Sequence, residues 1–339
     1  MELVTILKMI NLVVGDVHAV PNELGDCEAL LGLVQKTAQE EQANTITFMG
    51  DQYHNHSIVD VRCIEFWKRW IDKLSGSYSL ILIVGNHDQV TPTCSFPHAL
   101  LCHSGVTVVD KPWPTAMGFA MMPYYHDPKE FLEKATELSK FSKAETLFCH
   151  QTITGAKYES GFYAKDSVEC DFIPFKYVIS GHIHTPQTIG KKVLYVGSSR
   201  YRILSDAGAD RFLWLFEHTR EGTKLKKRVP VDTVCRRIYR YVDTEKEPAI
   251  INIPENKKAL ADIRVDIYGS SSFISERAIE LKAVCGARCR GFPERVKVSQ
   301  VSEAEGIVSA FDRFTNKFDP PNKTPLELLK TAVQERLRI

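Results

Sequence analysis

Five short motifs carry the residues able to do chemistry: GDVH (15–18), GDQYH (50–54), GNHD (85–88), Cys149 with His150, and GHIH (181–184). They offer carboxylates, an amide oxygen and imidazoles with no paired thiolate, the donor set of Mn, Fe or Zn in a hydrolytic centre. A carboxylate can bridge two ions, and two cations about 3.5–4 Å apart lower the pKa of a water and clamp phosphoryl oxygens through an in-line displacement. Glycine before a ligand lets the backbone turn sharply off a strand and approach an ion closely. Taken singly the motifs are weak: GDxH occurs by chance in about a few per cent of chains this long, and an aspartate after a strand often only caps the next helix. Five in order, each after an apolar run and with room for a crossover between them, are no coincidence, because open α/β sheets bind ligands at the carboxyl ends of their strands.

The elements that must position them follow one pattern through about residue 217. Apolar runs at 12–14, 46–49, 80–84, 147–149, 177–180 and 194–196 each lead into glycine or a bare polar residue, which predicts strands ending on polar cargo. Helices are predicted over 23–42, with Leu30, Leu31 and Val34 in phase, and over 58–74, with Ile64, Trp67 and Ile71. Residues 243–259 are polar with two prolines and suit a connection. Beyond it, a strand at 261–268, a helix near 274–285 and a strand at 294–301 predict a small βαβ unit. Thr324 and Glu327 form a capping-box pattern with Pro325 at the first helical position. The terminal helix starting there carries an apolar stripe, Leu326, Leu329, Val333 and Leu337, which serves either its own body or a partner helix.

The expected organisation is therefore α/β: a main domain over 1–242, the connection 243–259, a small α/β capping domain over 260–302, and a linker with the C-terminal helix over 303–339. The 339 residues are 44% hydrophobic and 25% charged with net charge +1, which excludes a disordered or fibrous protein and gives no global pull toward nucleic acid. Nine cysteines without a CxxC spacing argue against a disulfide framework or a thiolate zinc site and fit a reducing compartment. The apolar stretch 3–14 is interrupted by Lys8 and Asn11 and reads as a strand, and no segment approaches the ~18 apolar residues of a membrane span. A soluble, cytoplasmic protein is expected. Met9 would make a natural start for the first strand, so the first eight residues read as an extension.

In this order and spacing the motifs resemble those of the calcineurin-like metallophosphoesterase superfamily. His54 closing GDQYH, and GNHD with aspartate last, are similar to the nuclease branch typified by the SbcD subunit. The match runs over roughly 9–240, including GSSRYR (197–202). The resemblance implies a two-sheet sandwich flanked by helices. It also implies two divalent ions, with Mn expected: Asp16, His18, Asp51 and His184 on one, Asp51, Asn86, His150 and His182 on the other, Asp51 the bridge. Asn86 supplies a neutral oxygen. His87 is the candidate to protonate the leaving oxygen or stabilise the transition state, with Asp88 orienting it, against a purely structural role. His54 either places the substrate phosphate or hydrogen-bonds a ligand.

The remaining histidines, His56, His98, His103, His126 and His218, read as solvated or satisfied in the core, and Cys149 as packing rather than a nucleophile. Arg200 and Arg202, the run Lys224, Lys226, Lys227 and Arg228, and the group Arg236, Arg237 and Arg240 either meet a phosphate backbone or form ordinary charged strand faces. The resemblance implies a DNA exonuclease and endonuclease, partnered by a coiled-coil ABC-type ATPase in an SbcC/SbcD-like complex for DNA repair, recombination or replication, and dimeric through its phosphoesterase domain. A stand-alone phosphoesterase acting on a small phosphodiester or a phosphoprotein is the alternative. A non-catalytic scaffold on the same fold is disfavoured because no ligand position is eroded.

Overall fold

The computed structural model describes residues 8–91, 93–253 and 255–293. In chain order the strands are β1 (Met9–Val14), β2 (Thr45–Phe48), β3 (Ser79–Ile83), β4 (Gln89–Thr91), β5 (Cys94–His98), β6 (Thr107–Val109), β7 (Trp113–Pro114), β8 (Phe119–Met122), β9 (Thr146–His150), β10 (Tyr177–Gly181), β11 (Gln187–Ile189), β12 (Val193–Tyr195), β13 (Phe212–Thr219), β14 (Gly222–Pro230), β15 (Arg237–Thr244), β16 (Ala261–Gly269) and β17 (Arg288–Pro293). The helices are α1 (Leu24–Glu40), α2 (Val61–Ser75), α3 (Pro128–Phe141) and α4 (Ser271–Cys285). Among the described residues no helix is long and apolar enough to cross a membrane.

Two six-stranded sheets, ordered β14-β13-β1-β2-β3-β6 and β11-β12-β10-β9-β8-β7, face each other. In the first sheet β1, β2, β3 and β6 run parallel, and in the second β12, β10, β9 and β8, so within each sheet their carboxyl ends gather on one edge. Period-two alternation separates the layers. Val13 of β1 and Phe148 of β9 point into the core between the sheets, with Met49, Ile83, Met121, Trp214 and Phe216. Their neighbours Leu12, Val14, Leu147 and Cys149 point outward under helices. On one outer face lie α1, burying Cys27, Leu30, Leu31, Val34 and Ala38, and α2, burying Phe66, Trp67, Trp70, Ile71 and Leu74. Each of the buried leucine, valine, isoleucine and phenylalanine side chains contributes about 1.5–3 kcal/mol of apolar burial. The other face is covered by α3, with Phe131, Ala135 and Leu138 inward. The side chains of Asp60 and Asp127 cap α2 and α3 by accepting backbone N–H groups. The sandwich flanked by helices is the architecture expected.

The third sheet, β15-β16-β17, is parallel throughout and carries α4 on one side. Its first strand lies largely inside the segment that the sequence assigns to the main domain. β15 pairs with β16 across eight residues: Tyr239 and Tyr241 turn to the core that Ile263, Val265 and Ile267 share with α4, while Ile238 turns the other way into the core of the first large sheet. Its last strand, β17, comes earlier than the strand expected at 294–301, which lies outside the described residues, as do the linker and helix expected over 303–339 and the extension up to residue 7.

Candidate metal centre

The turns after β1, β2, β3, β9 and β10 decide where the polar cargo goes, and space dictates their glycines. A Cβ on Gly85 would sit 2.2 Å from Asp51 Oδ1, one on Gly50 2.2 Å from His150 Nδ1, and one on Gly181 2.8 Å from Asp16 Oδ1. Three ligand candidates themselves take left-handed backbone: His18 (φ 48°), Asp51 (φ 53°) and His182 (φ 81°). Holding a non-glycine residue there costs about 1–3 kcal/mol. Hydrogen bonds across the site offset it, His18 N donating to Asp51 O at 2.8 Å and His182 N to Asp16 Oδ2 at 3.0 Å.

Besides the all-imidazole group His18, His54 and His87, two donor clusters that include a carboxylate result. Asp16, His18 and His184 form one and Asp51, His150 and His182 the other, each with its ligand atoms within 4.8 Å of one another. In the first, His18 Nε2 and His184 Nε2 are 2.9 Å apart, and Asp16 Oδ2 is 3.9 Å from His184 Nε2. In the second, Asn86 Oδ1 lies 3.0 Å from His150 Nε2 and 2.8 Å from His182 Nδ1. Asp51 Oδ2 stands between them, 3.5 Å from His18 Nε2 and 3.4 Å from His150 Nε2. Two donors each about 2.1 Å from one ion and at right angles are about 3 Å apart, so these separations fit donors that share a cation. Asp16 Oδ1, buried and without a hydrogen-bond partner among the described residues, fits the same reading.

Outer partners select the ring nitrogens. His150 Nδ1 donates to the Met49 carbonyl at 2.8 Å, which frees Nε2 for the centre. His182 uses the opposite tautomer: its Nε2 faces Thr152 Oγ1 at 2.8 Å and its Nδ1 faces the centre. Arg200 is fully buried and donates to the Val17 and His18 carbonyls and to Glu23. It therefore braces the first ligand loop and is not available to a phosphate backbone.

The electrostatics are those of charges forced together. Burial, reinforced by Asp51, pushes the Asp16 carboxyl up to about 7 despite nearby His150. Burial also opposes charge on Asp51, but His150 and His18 hold its carboxyl well below the usual range. Burial works against a charged His150, yet Asp51 and Asp16 outweigh it and raise the ring to about 9. Burial and the charge on His150 drive His182 down to about 3. A bound divalent cation would be the largest charge here and would favour both carboxylates ionised and the imidazoles neutral.

His87 is anchored at both ends, its backbone N donating to Asp51 Oδ1 at 2.8 Å and its Nδ1 to the His54 carbonyl at 2.6 Å. Its ring stands 4.8 Å from that of His18. The His54 carbonyl, not Asp88, therefore orients it. Asp88 accepts the backbone N–H of Tyr53 on one oxygen and that of Gly85 on the other, tying two ligand loops together. The expected Asp88–His87 contact fails because the carboxylate points back into the buried loops, where burial and the Asp51 charge push it up to about 8. The side chain of His54 lies 3.3 Å from His18 Nδ1 and 3.3 Å from an Arg202 N–H.

Several contributors lie outside the motifs. His56, read as a bystander, stacks on His87 at 4.7 Å and 18°. Tyr124 lies over His182 at 5.6 Å. Asp206 accepts the backbone N–H groups of Arg202 and Ile203 and sits 3.9 Å from His184 Nδ1. GDQYH followed closely by His56 was the one signal in the sequence. Thr152, two residues after His150, carries none. By contrast His103 bonds the Tyr53 hydroxyl and His218 lies between Asn11 and Thr223, both satisfied as expected. Of the other basic residues singled out, Lys226 and Lys227 pair with Glu41, Arg236 with Asp26, and Arg237 with Asp210 and Asp232.

A two-sheet sandwich whose parallel strand ends converge on carboxylates, an amide and imidazoles is the fold of a metallophosphoesterase. The chain belongs to the calcineurin-like phosphoesterase family, whose sequence model matches residues 11–186. That family's fold binds a dinuclear metal site. The chain is also similar to "Putative phosphoesterase 078R" of Invertebrate iridescent virus 3, 26% identical over 262 residues that span 70% of this chain and 73% of that one. Among solved structures it is similar to the nuclease MPE of Pseudomonas putida, at 17% identity and a TM-score of 0.31 over 61% of this chain and 83% of that one.

Proposed function

We propose that this phosphoesterase is a two-metal DNA phosphodiesterase of the SbcD type, using Mn. The observation that carries the reading is the pair of donor clusters meeting on Asp51, with the His87 ring fixed above them. Asp16, His18, Asp51 and His184 would hold one ion and Asp51, Asn86, His150 and His182 the other. When bound, the ions supply an activated water and the positive charge that clamps phosphoryl oxygens. The chain's own residues do the rest. The His54 carbonyl accepts a hydrogen bond from His87 Nδ1–H, which turns Nε2 toward the leaving oxygen; the doubly protonated ring donates its Nε2 proton there and is left neutral with Nδ1–H still held by the carbonyl. His54 and Arg202, adjacent at the mouth of the first cluster, place a substrate phosphate. Asp88 keeps the two ligand loops in register. The motif resemblance supports DNA over a small ester, and with it a coiled-coil ABC-type ATPase as partner of a dimeric nuclease, with residues 324–339 the docking element.

The test is cleavage of end-labelled linear DNA in Mn, with His87→Ala as control and bis(4-nitrophenyl) phosphate as competing substrate. His87→Ala is expected to bind both ions and to lose turnover by about 10²–10⁴-fold. Near-normal single-turnover hydrolysis in that variant refutes the role of His87. Small-ester hydrolysis with DNA left intact, even after the candidate ATPase is added, turns the reading to the stand-alone enzyme.

A further inference from the structure

The small sheet has a face that its helix does not cover. Side chains alternate along a strand, so Ile263, Val265 and Ile267 of β16 join the core with α4 while Asp262, Arg264, Asp266 and Tyr268 occupy the other side. The register sets Arg240 and Arg288 beside Arg264, Arg290 beside Asp266, and Phe292 beside Tyr268. Asp266 accepts hydrogen bonds from Arg240 and Arg290, each at 2.8 Å, and Asp262 accepts from Arg264 and Arg288. Four arginines against two aspartates leave an excess of two positive charges on this face. The side chains of Arg240 and Arg290 remain 48% and 56% exposed. Guanidiniums ordered in this way lose little freedom on meeting a phosphate. At the end of the rows, the Tyr268 and Phe292 rings stack at 4.7 Å and 13°, with Arg290 over Phe292 and Tyr268 40% exposed.

The face is continuous with the metal centre. Arg240 and Arg290 line a cleft of about 670 Å³ whose opposite wall is Glu159, Ser160 and the segment 203–208. That wall reaches the ligands: Asp206 approaches His184, Arg202 lies against His54, and Glu159 accepts the backbone N–H of Thr185.

We propose that this face is a platform for an unpaired nucleic-acid strand, which it leads across the cleft to the metal centre. Bases stack on Tyr268 and Phe292, and phosphates meet Arg240 and Arg290. A duplex offers the arginines the same phosphates, but its bases are stacked on one another and show only their edges, so the two rings discriminate for the single strand. The platform deepens the reading of the protein as a nucleic-acid phosphodiesterase and rests on it, and binding and hydrolysis are therefore measured apart.

The full chain in EDTA is titrated against fluorescein-labelled oligo(dT), oligo(U) and a DNA hairpin of equal length, with anisotropy read at several salt concentrations. Either oligonucleotide is expected to bind more tightly than the hairpin, and the comparison of the two shows whether the sugar matters. Tyr268→Ala with Phe292→Ala should weaken single-strand binding by about 5- to 150-fold and leave the hairpin unchanged, whereas Tyr268→Phe, which keeps the ring, should bind as the parent does. Arg240→Gln with Arg290→Gln should weaken both and lower the salt slope by about one to two. Turnover of bis(4-nitrophenyl) phosphate in Mn should be the same in every variant, since none of these residues touches the centre. No oligonucleotide binding by the parent, or equal losses for strand and hairpin in the aromatic variant, overturns the platform. Failure of the parent to hydrolyse the small ester instead overturns the functional reading beneath it.

Discussion

Thr152→Val isolates one hydrogen bond behind one ligand. Its hydroxyl oxygen lies 2.8 Å from His182 Nε2, and that contact holds the ring in the tautomer that turns Nδ1 toward Asn86. Valine keeps the shape of threonine and removes the acceptor. Loss of such an outer partner lowers metal affinity by about 10- to 100-fold, which is about 1.4–2.7 kcal/mol. His182 belongs to the cluster with Asn86 and His150, so the loss should fall on one of two ions in a calorimetric Mn titration and leave the other unaltered. The same free energy should disappear from the stabilisation that Mn confers at a fixed subsaturating concentration, because ligand-linked stability follows the dissociation constant. Activity should drop at limiting Mn and return at saturation. Thr154→Val is the control, since Thr154 Oγ1 is buried with no partner among the described residues and should be dispensable. Two unchanged binding steps in Thr152→Val would refute the tautomer argument and leave the His182 ring oriented by packing alone.

Gly85→Ala should be far more severe than its size suggests. The new methyl would sit 2.2 Å from Asp51 Oδ1 and 2.4 Å from Asp51 N, so a cost of about 3 kcal/mol and loss of both ions are expected in denaturant melts and metal titrations. Gly32→Ala, on the exposed face of α1 with nothing within 4 Å, should stabilise by about 0.5–1 kcal/mol in the same melts. The metal-free protein should lose stability as pH rises from about 7 to 8.5. Asp16, Asp88 and His150 titrate at about 7, 8 and 9 in the fold against 3.8, 3.8 and 6.5 unfolded. The folded state therefore holds the extra protons of these three groups across this window, partly offset near pH 7 by buried histidines such as His54, His182 and His218 that the unfolded chain protonates more readily, and stability falls with pH. Mn should reverse the trend, because its ligands bind deprotonated. A flat profile in EDTA would contradict the burial of these three groups.

The candidate ligands are legible in the sequence because their chemistry and their local geometry coincide. Asp16, Asp51 and Asn86 each follow an apolar strand and a glycine, His182 follows Gly181 at the end of β10, and His150 is the last residue of β9, so each is marked by its neighbours in the chain. What lay beyond reach was set by tertiary proximity. Thr152 and His182 are thirty positions apart and meet only because β9 and β10 are parallel neighbours. The Asp88 carboxylate was assigned to the nearest histidine in sequence, whereas it serves two loops. Arg200 looked like a surface cation and is wholly buried under backbone carbonyls. β15 alternates between two cores, Ile238 joining that of the first large sheet and Tyr239 and Tyr241 that of the small one, so its residues alone do not say which sheet it enters.

The centre is divided between the two halves of the sandwich. Asp16, His18, Asp51 and Asn86 leave strands of one sheet, while His150, His182 and His184 leave strands of the other. Neither half can assemble a hydrolytic site by itself, so reactivity becomes a property of the finished tertiary structure. A ribosome must release residues beyond His184, and the strand that closes the first sheet through its pairing with β1 comes later still, at Phe212–Thr219. Nascent, truncated or partly melted chains thus carry the ligands without the enzyme. Phosphoesterase reactivity is in this way tied to completion of the fold.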